Sequence, residues 1–154
     1  STLTGGRLKR VKNYIKGETC FCFTYGDGVS DINVTALLQF HKAHGKLATV
    51  SAVQPPGRYG AILREGDLVS GFQEKPPGDG AWINGGFFIF EPKIFDYLDE
   101  NCVLEQKPLE TLASSGQLMA FQHNGFWQPM DTLREKNELT EKALLKIPPW
   151  LQLI

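Results

Sequence analysis

The chain has 154 residues, of which 42% are apolar and 21% charged, with a formal net charge of −1. That is enough chain for one domain with its own core, and the near-neutral charge argues against nucleic acid or an acidic membrane as partner. The longest apolar run falls well short of the roughly 18–20 residues a membrane helix needs, and no charged-then-apolar leader opens the chain, so a soluble, cytoplasmic protein is expected. Cys20, Cys22 and Cys102 form no disulfide framework. They read as reduced, small core residues, with Cys20 and Cys22 on one face of a strand.

Taken in order, the chain first offers Thr4 as N-cap of a helix from Gly6 to about Ile15. Gly5 and Gly6 would leave backbone N–H groups open to an anion or a polar ring. Arg7 sits in the first turn, against the helix dipole; it either reaches a ligand or is solvated. The run Phe21-Cys22-Phe23-Thr24-Tyr25 then stops at Gly26-Asp27-Gly28, which predicts a buried strand ending in a tight turn. In an open α/β sheet, ligands gather at the carboxyl ends of strands. Asp27 at such an end suits a hard cation such as Mg²⁺ carrying substrate phosphates, and it suits a plain turn or cap equally.

Asp31 to His44 reads as a helix with Ile32, Leu37, Leu38 and Phe40 on its apolar face and Gly45 as its stop. For His41 and His44, a solvated helix end is preferred to a metal pair. Lys46–Val53 is a second strand, completing a βαβ unit with a right-handed crossover. Residues 55–61 are too rich in Pro and Gly for regular structure and form a loop suited to ligand contacts. Ala61–Arg64 and Leu68–Gln73 flank Glu65-Gly66-Asp67 as a hairpin. It delivers Glu74-Lys75, held by prolines, which is either a solvated turn or a hydroxyl acceptor beside a phosphate-binding ammonium.

Ala81–Phe90 is a strand whose Gly85-Gly86 marks a bulge or a close approach. A short helix over Lys93–Leu98, a loop, a helix from Pro108 to Gly116 and a strand over Gln117–His123 follow. A last helix runs from Thr132 to about Leu145. Asp131 lies at its loop-to-helix joint, where an N-cap role competes with any other.

Six collinear motifs carry a resemblance: Thr4-Gly5-Gly6-Arg7-Leu8-Lys9-Arg10, Tyr25-Gly26-Asp27-Gly28, Pro56-Gly57-Arg58-Tyr59-Gly60, Phe72-Gln73-Glu74-Lys75-Pro76, Asn84-Gly85-Gly86-Phe87-Phe88 and Phe126 through Thr132. Together, over residues 1 to about 136, they resemble the glucose-1-phosphate cytidylyltransferases of the sugar nucleotidylyltransferase family. The resemblance implies a partial Rossmann-like mixed α/β sheet with helices on both faces and a β-hairpin arm. It implies CTP and glucose 1-phosphate as substrates, with Mg²⁺ held by Asp27 and Asp131. Lys75 would bind the sugar phosphate and Glu74 a sugar hydroxyl, with Gly60, Gly85 and Gly86 lining the sugar. Thr2, Thr4, Gly5 and Arg7 would lie against the nucleotide. Asp27, Lys75 and Asp131 would be the catalytic set. The family's Gly-rich triphosphate-binding segment has no match here, so the chain reads as a C-terminal portion, incomplete for catalysis. The alternative is a non-catalytic remnant that oligomerises and at most binds sugar phosphate. A homo-oligomer and an exposed sheet edge are expected in either case.

Overall fold

The computed structural model describes residues 2–151. In chain order its elements are α1 (Thr4–Arg10), β1 (Phe21–Thr24), β2 (Gly28–Ser30), α2 (Val34–His44), β3 (Ala48–Val53), β4 (Ala61–Glu65), β5 (Leu68–Gln73), β6 (Ile83–Phe90), α3 (Lys107–Ser114), β7 (Leu118–His123), β8 (Trp127–Pro129) and α4 (Leu133–Ala143), with 3₁₀ turns at 12–15, 77–80, 92–97 and 149–151. They fall into two units. One comprises Asn33–Ser51, Gly86–Phe121 and the chain up to Tyr25; the other comprises Gly26–Ile32, Ala52–Gly85 and the chain from Gln122.

The first unit is built on a sheet of order β1-β6-β3-β7. Strand β1 runs antiparallel to β6, Phe21 opposite Phe90 and Thr24 opposite Phe87. Ile89, Phe90, Ile94, Leu104 and Leu112 are wholly buried, and Phe21 stacks on Phe95 with ring centroids 5.8 Å apart. A buried aromatic ring removes some 150–250 Å² from water, so this cluster dominates the unit's stability.

Five expectations change here. Strand β1 is a half-buried edge whose residues alternate with the pleat, so Cys22 is exposed and Cys20 only half-buried. Strand β6 lies between β1 and β3, so the connection through α2 skips a strand. The first helix is seven residues long and its N-cap is Leu3, with no side-chain cap. His41 is not solvated: it is 3% exposed, its Nδ1 lies 2.8 Å from Thr49 Oγ1, and His44 Nε2 lies 2.7 Å from the same hydroxyl. Helix α2 stops at Gly45 as expected, at φ +63°, but it starts at Val34 rather than Asp31, because Asn33 is its N-cap and Asn33 Oδ1 accepts the Ala36 N–H at 2.9 Å; Ile32 therefore lies outside the helix.

In the second unit, β4 and β5 form the expected hairpin, turned by Gly66 at φ +61°. A second antiparallel pair was not anticipated: β2 and β8 align Gly28 with Pro129 and Ser30 with Trp127. Three-residue strands are too short to show a period of two. Beside this pair, His123 Nε2 lies 2.9 Å from Asp31 Oδ1, both side chains under one-tenth exposed. A Cβ on Gly125 would sit 2.4 Å from Asp31 Oδ1, so the turn into β8 closes over this His–Asp contact only with glycine there.

Candidate functional site

The backbone brings Asp27 and Asp131 to the same end of one strand pair. The Asp27 carbonyl accepts the Met130 N–H at 2.8 Å, one step beyond the Gly28–Pro129 pair of the β2–β8 ladder. Asp27 and Asp131 therefore stand at one end of that ladder, and both are exposed. The N-cap of α4 is Thr132, not Asp131. Thr132 Oγ1 accepts the Glu135 N–H at 3.2 Å, and Glu135 Oε2 accepts the Thr132 and Asp131 N–H groups at 2.9 and 3.0 Å. This reciprocal capping box leaves the Asp131 carboxylate out of the cap. The Thr132 hydroxyl, then the two backbone N–H groups, hold the Glu135 carboxyl below the usual range. Neither the Asp27 nor the Asp131 carboxylate is taken up by the α4 cap. Among the described residues no cluster of three His, Cys, Asp or Glu could hold a metal by itself.

Around Glu74 and Lys75, two loops are docked on each other. A Cβ on Gly57 would lie 2.2 Å from the Pro76 carbonyl oxygen and 2.5 Å from the Lys75 carbonyl carbon. Gly78 N–H donates to the Pro55 carbonyl at 2.6 Å. Asp79 Oδ1 accepts the N–H groups of Arg58 and Tyr59 at 2.8 and 3.2 Å. Gly60 faces Phe72 and Glu74, with space for no Cβ. Lys75 takes φ +44°, rare for a residue with a side chain. Its ammonium is exposed and 3.8 Å from Glu74 Oε1. Gly85 gives its carbonyl to the Trp127 indole N–H at 2.8 Å.

The remaining candidates, Thr2, Thr4, Gly5, Arg7 and Gly86, belong to the first unit. The open N–H groups expected at the start of α1 are not there: Gly5 and Gly6 donate to the Cys102 carbonyl at 3.0 and 3.3 Å. A Cβ on Gly5 would lie 2.3 Å from Cys102 Sγ, so this glycine is required by the close approach of residues 102–104. Thr4 Oγ1 donates to Glu105 Oε2 at 2.7 Å and accepts the Leu104 N–H at 2.9 Å. Arg7 is exposed, and its Nε–H returns to the Thr2 carbonyl at 2.9 Å. Gly86, at φ +77°, lies where a Cβ would come within 2.6 Å of the Tyr25 ring, which is the close approach its sequence suggested. Glu105, which the sequence did not single out, holds this region together: its other oxygen accepts the Tyr25 hydroxyl.

A family model described as nucleotidyl transferase matches residues 4–131. The glucose-1-phosphate cytidylyltransferase of Salmonella typhi is 58% identical over 137 residues, covering 88% of this chain and 53% of that protein. A mannose-1-phosphate guanyltransferase of Neurospora crassa is 32% identical over 149 residues, covering 92% of this chain and 40% of that protein. The chain thus spans about half the length of the curated relatives it matches. Among solved structures, HddC from Yersinia pseudotuberculosis aligns with a TM-score of 0.69 at 23% identity, over 92% of this chain and 62% of that one. At that identity the match speaks for the fold alone.

Proposed function

We propose that this chain, which belongs to the nucleotidyl transferase family, supplies the metal and sugar-phosphate part of an enzyme that joins CTP to glucose 1-phosphate, giving CDP-glucose and pyrophosphate. The observation that carries this reading is the Asp27–Met130 backbone bond. It joins the Asp27 backbone to the residue before Asp131, and the α4 cap occupies neither carboxylate. The 58% identity to a glucose-1-phosphate cytidylyltransferase supports the choice of nucleotide and sugar.

In this reading Asp27 and Asp131 hold Mg²⁺, which when bound neutralises phosphate charge on the reacting groups. Lys75 binds the sugar phosphate, Glu74 accepts a sugar hydroxyl, and Gly60 and Gly85 present backbone to the sugar. From the first unit, Gly86 is assigned to the sugar, and Thr2, Thr4, Gly5 and Arg7 to the nucleotide. Gly5 contributes by having no side chain, since its N–H is already taken. A sugar-phosphate oxygen attacks the α-phosphate of CTP in line, and the protein's contribution is to position the two and balance their charge.

A non-catalytic protein that at most binds sugar phosphate is the second reading. Calorimetry of Mg²⁺ and glucose 1-phosphate with this chain tests the first. Weak binding is expected, lost for Mg²⁺ in Asp27→Asn and Asp131→Asn. Combining the chain with the half of a relative that it does not match should yield CDP-glucose from CTP. Sugar-phosphate binding without any such turnover would leave the second reading.

A further inference from the structure

We infer that Arg58 is a second phosphate-binding cation of the sugar-phosphate subsite, set in place by the Asp79 carboxylate. The inference rests on the reading of Lys75 given above. Residue 58 follows Gly57, whose backbone packs directly on the Lys75–Pro76 peptide with no space for a Cβ. The next two N–H groups, of Arg58 and Tyr59, both donate to Asp79 Oδ1 at 2.8 and 3.2 Å. Asp79 itself takes φ +49° and Lys75 φ +44°. Two non-glycine residues in this sparsely allowed region lie within five residues of each other. Strain of that kind persists only where the surroundings over-determine it, and it concentrates at ligand clamps. The outcome is one built double loop that carries two cations, Arg58 and Lys75, on exposed side chains.

Arg58 is also directed toward the aspartate end. Its guanidinium lies 3.6 Å from Glu135 Oε1, and the other oxygen of that carboxylate holds the Asp131 N–H at 3.0 Å. Arg58 is 74% exposed in that pair. An exposed ion pair of this length is worth little, so the guanidinium can leave Glu135 for a phosphate at small cost. A planar guanidinium can then take two phosphate oxygens at once, which the point charge of Lys75 cannot. Glu135 keeps the arm extended toward the aspartates until the anion arrives.

The test is calorimetric titration of glucose 1-phosphate, and separately of inorganic phosphate, into the 154-residue chain. Arg58→Gln should weaken both about tenfold or more, as expected for a charge-assisted contact, and Arg58→Lys should recover part of the loss. Asp79→Asn keeps an oxygen acceptor for the two N–H groups and should bind like the parent, whereas Asp79→Ala should weaken binding as Arg58→Gln does. If Lys75→Ala weakens binding and Arg58→Gln does not, the sugar-phosphate reading stands and this inference is overturned. A loss in Arg58→Gln confined to glucose 1-phosphate, with inorganic phosphate unaffected, also overturns it. If neither anion binds the parent chain, both readings fall together. Arg58 is exposed and outside any core, so failure to fold does not confuse the Arg58 arms. The Asp79→Asn result serves as the folded control for Asp79→Ala.

Discussion

Asp131 and Thr132 are neighbours with opposite duties, and that separation is measurable. Thr132 closes a reciprocal cap with Glu135, so Thr132→Ala should cost about 1 kcal/mol of stability. Asp131 gives only its N–H to that cap, so Asp131→Asn should change stability by less than about 0.5 kcal/mol while removing Mg²⁺ binding. Chemical denaturation and metal titration of the two variants separate the roles; a large stability loss in Asp131→Asn would return it to the cap. From sequence Asp131 was the cap candidate and Thr132 the first helical residue; both are good capping types, and the geometry of residue 135 decides between them. The histidines of α2 illustrate the opposite case. Their spacing suggested a solvated helix end, yet burial, and secondarily His44 for His41 and Lys46 for His44, push both below their ordinary pKa. The sign follows directly. The unfolded chain takes up protons below about pH 6.5 while the folded chain resists, so stability is full above that pH and falls as the pH drops toward the lowered folded values. Denaturant midpoints should therefore be flat from neutral upward and decline in mild acid, and His41→Gln should flatten that decline. An unchanged slope in the variant would locate the acid sensitivity elsewhere.

Elements with strong local chemistry were legible, and those made by pairing alone were not. Gly45 stops α2 where its type predicts, and Gly66 turns the hairpin, because positive-φ turns are decided within a few residues. The β2–β8 pair has no such signature. It exists because its strands meet from positions about a hundred residues apart, and that juncture is what carries the aspartates. Of the candidate site, the individual residue types were readable, while Asp79, Glu105 and Trp127 were not. Each acts through hydrogen bonds whose partners lie at least 20 residues away. Gly57 tests the docked loops as an element. A methyl group there would press on the Pro76 carbonyl, so Gly57→Ala should cost about 1–3 kcal/mol as overpacking. It should also raise hydrogen exchange at the Arg58 and Tyr59 amides. Unchanged exchange at those amides would mean that the loops are not held by this contact.

For the chain as a whole, family membership was readable because six motifs recur in order, each weak alone. Nothing in residue patterning reports how the surface is covered in solution, and the hairpin makes that question concrete. Ile62 stands opposite Phe72, and Leu63 opposite Gly71 one step on, so the pleat puts apolar side chains on both faces of a two-stranded sheet. Leu63 is 70% exposed, Leu68 68% and Phe72 67%. A two-stranded hairpin is at best marginally stable alone in water, and apolar surface on both its faces favours a covering partner. Strand β1 adds an edge paired on one side only. With a net charge of only −1, long-range repulsion does little to keep copies apart. Self-association is therefore the expected state. Light scattering should report a mass of at least two chains, falling toward one on dilution. Replacing Leu63 and Phe72 together by Lys should shift the equilibrium to the single chain without lowering the cooperativity of unfolding, since neither side chain belongs to the buried core. A single-chain mass at high protein concentration would refute the expectation, and an oligomer that survives the double replacement would move the interface to another surface.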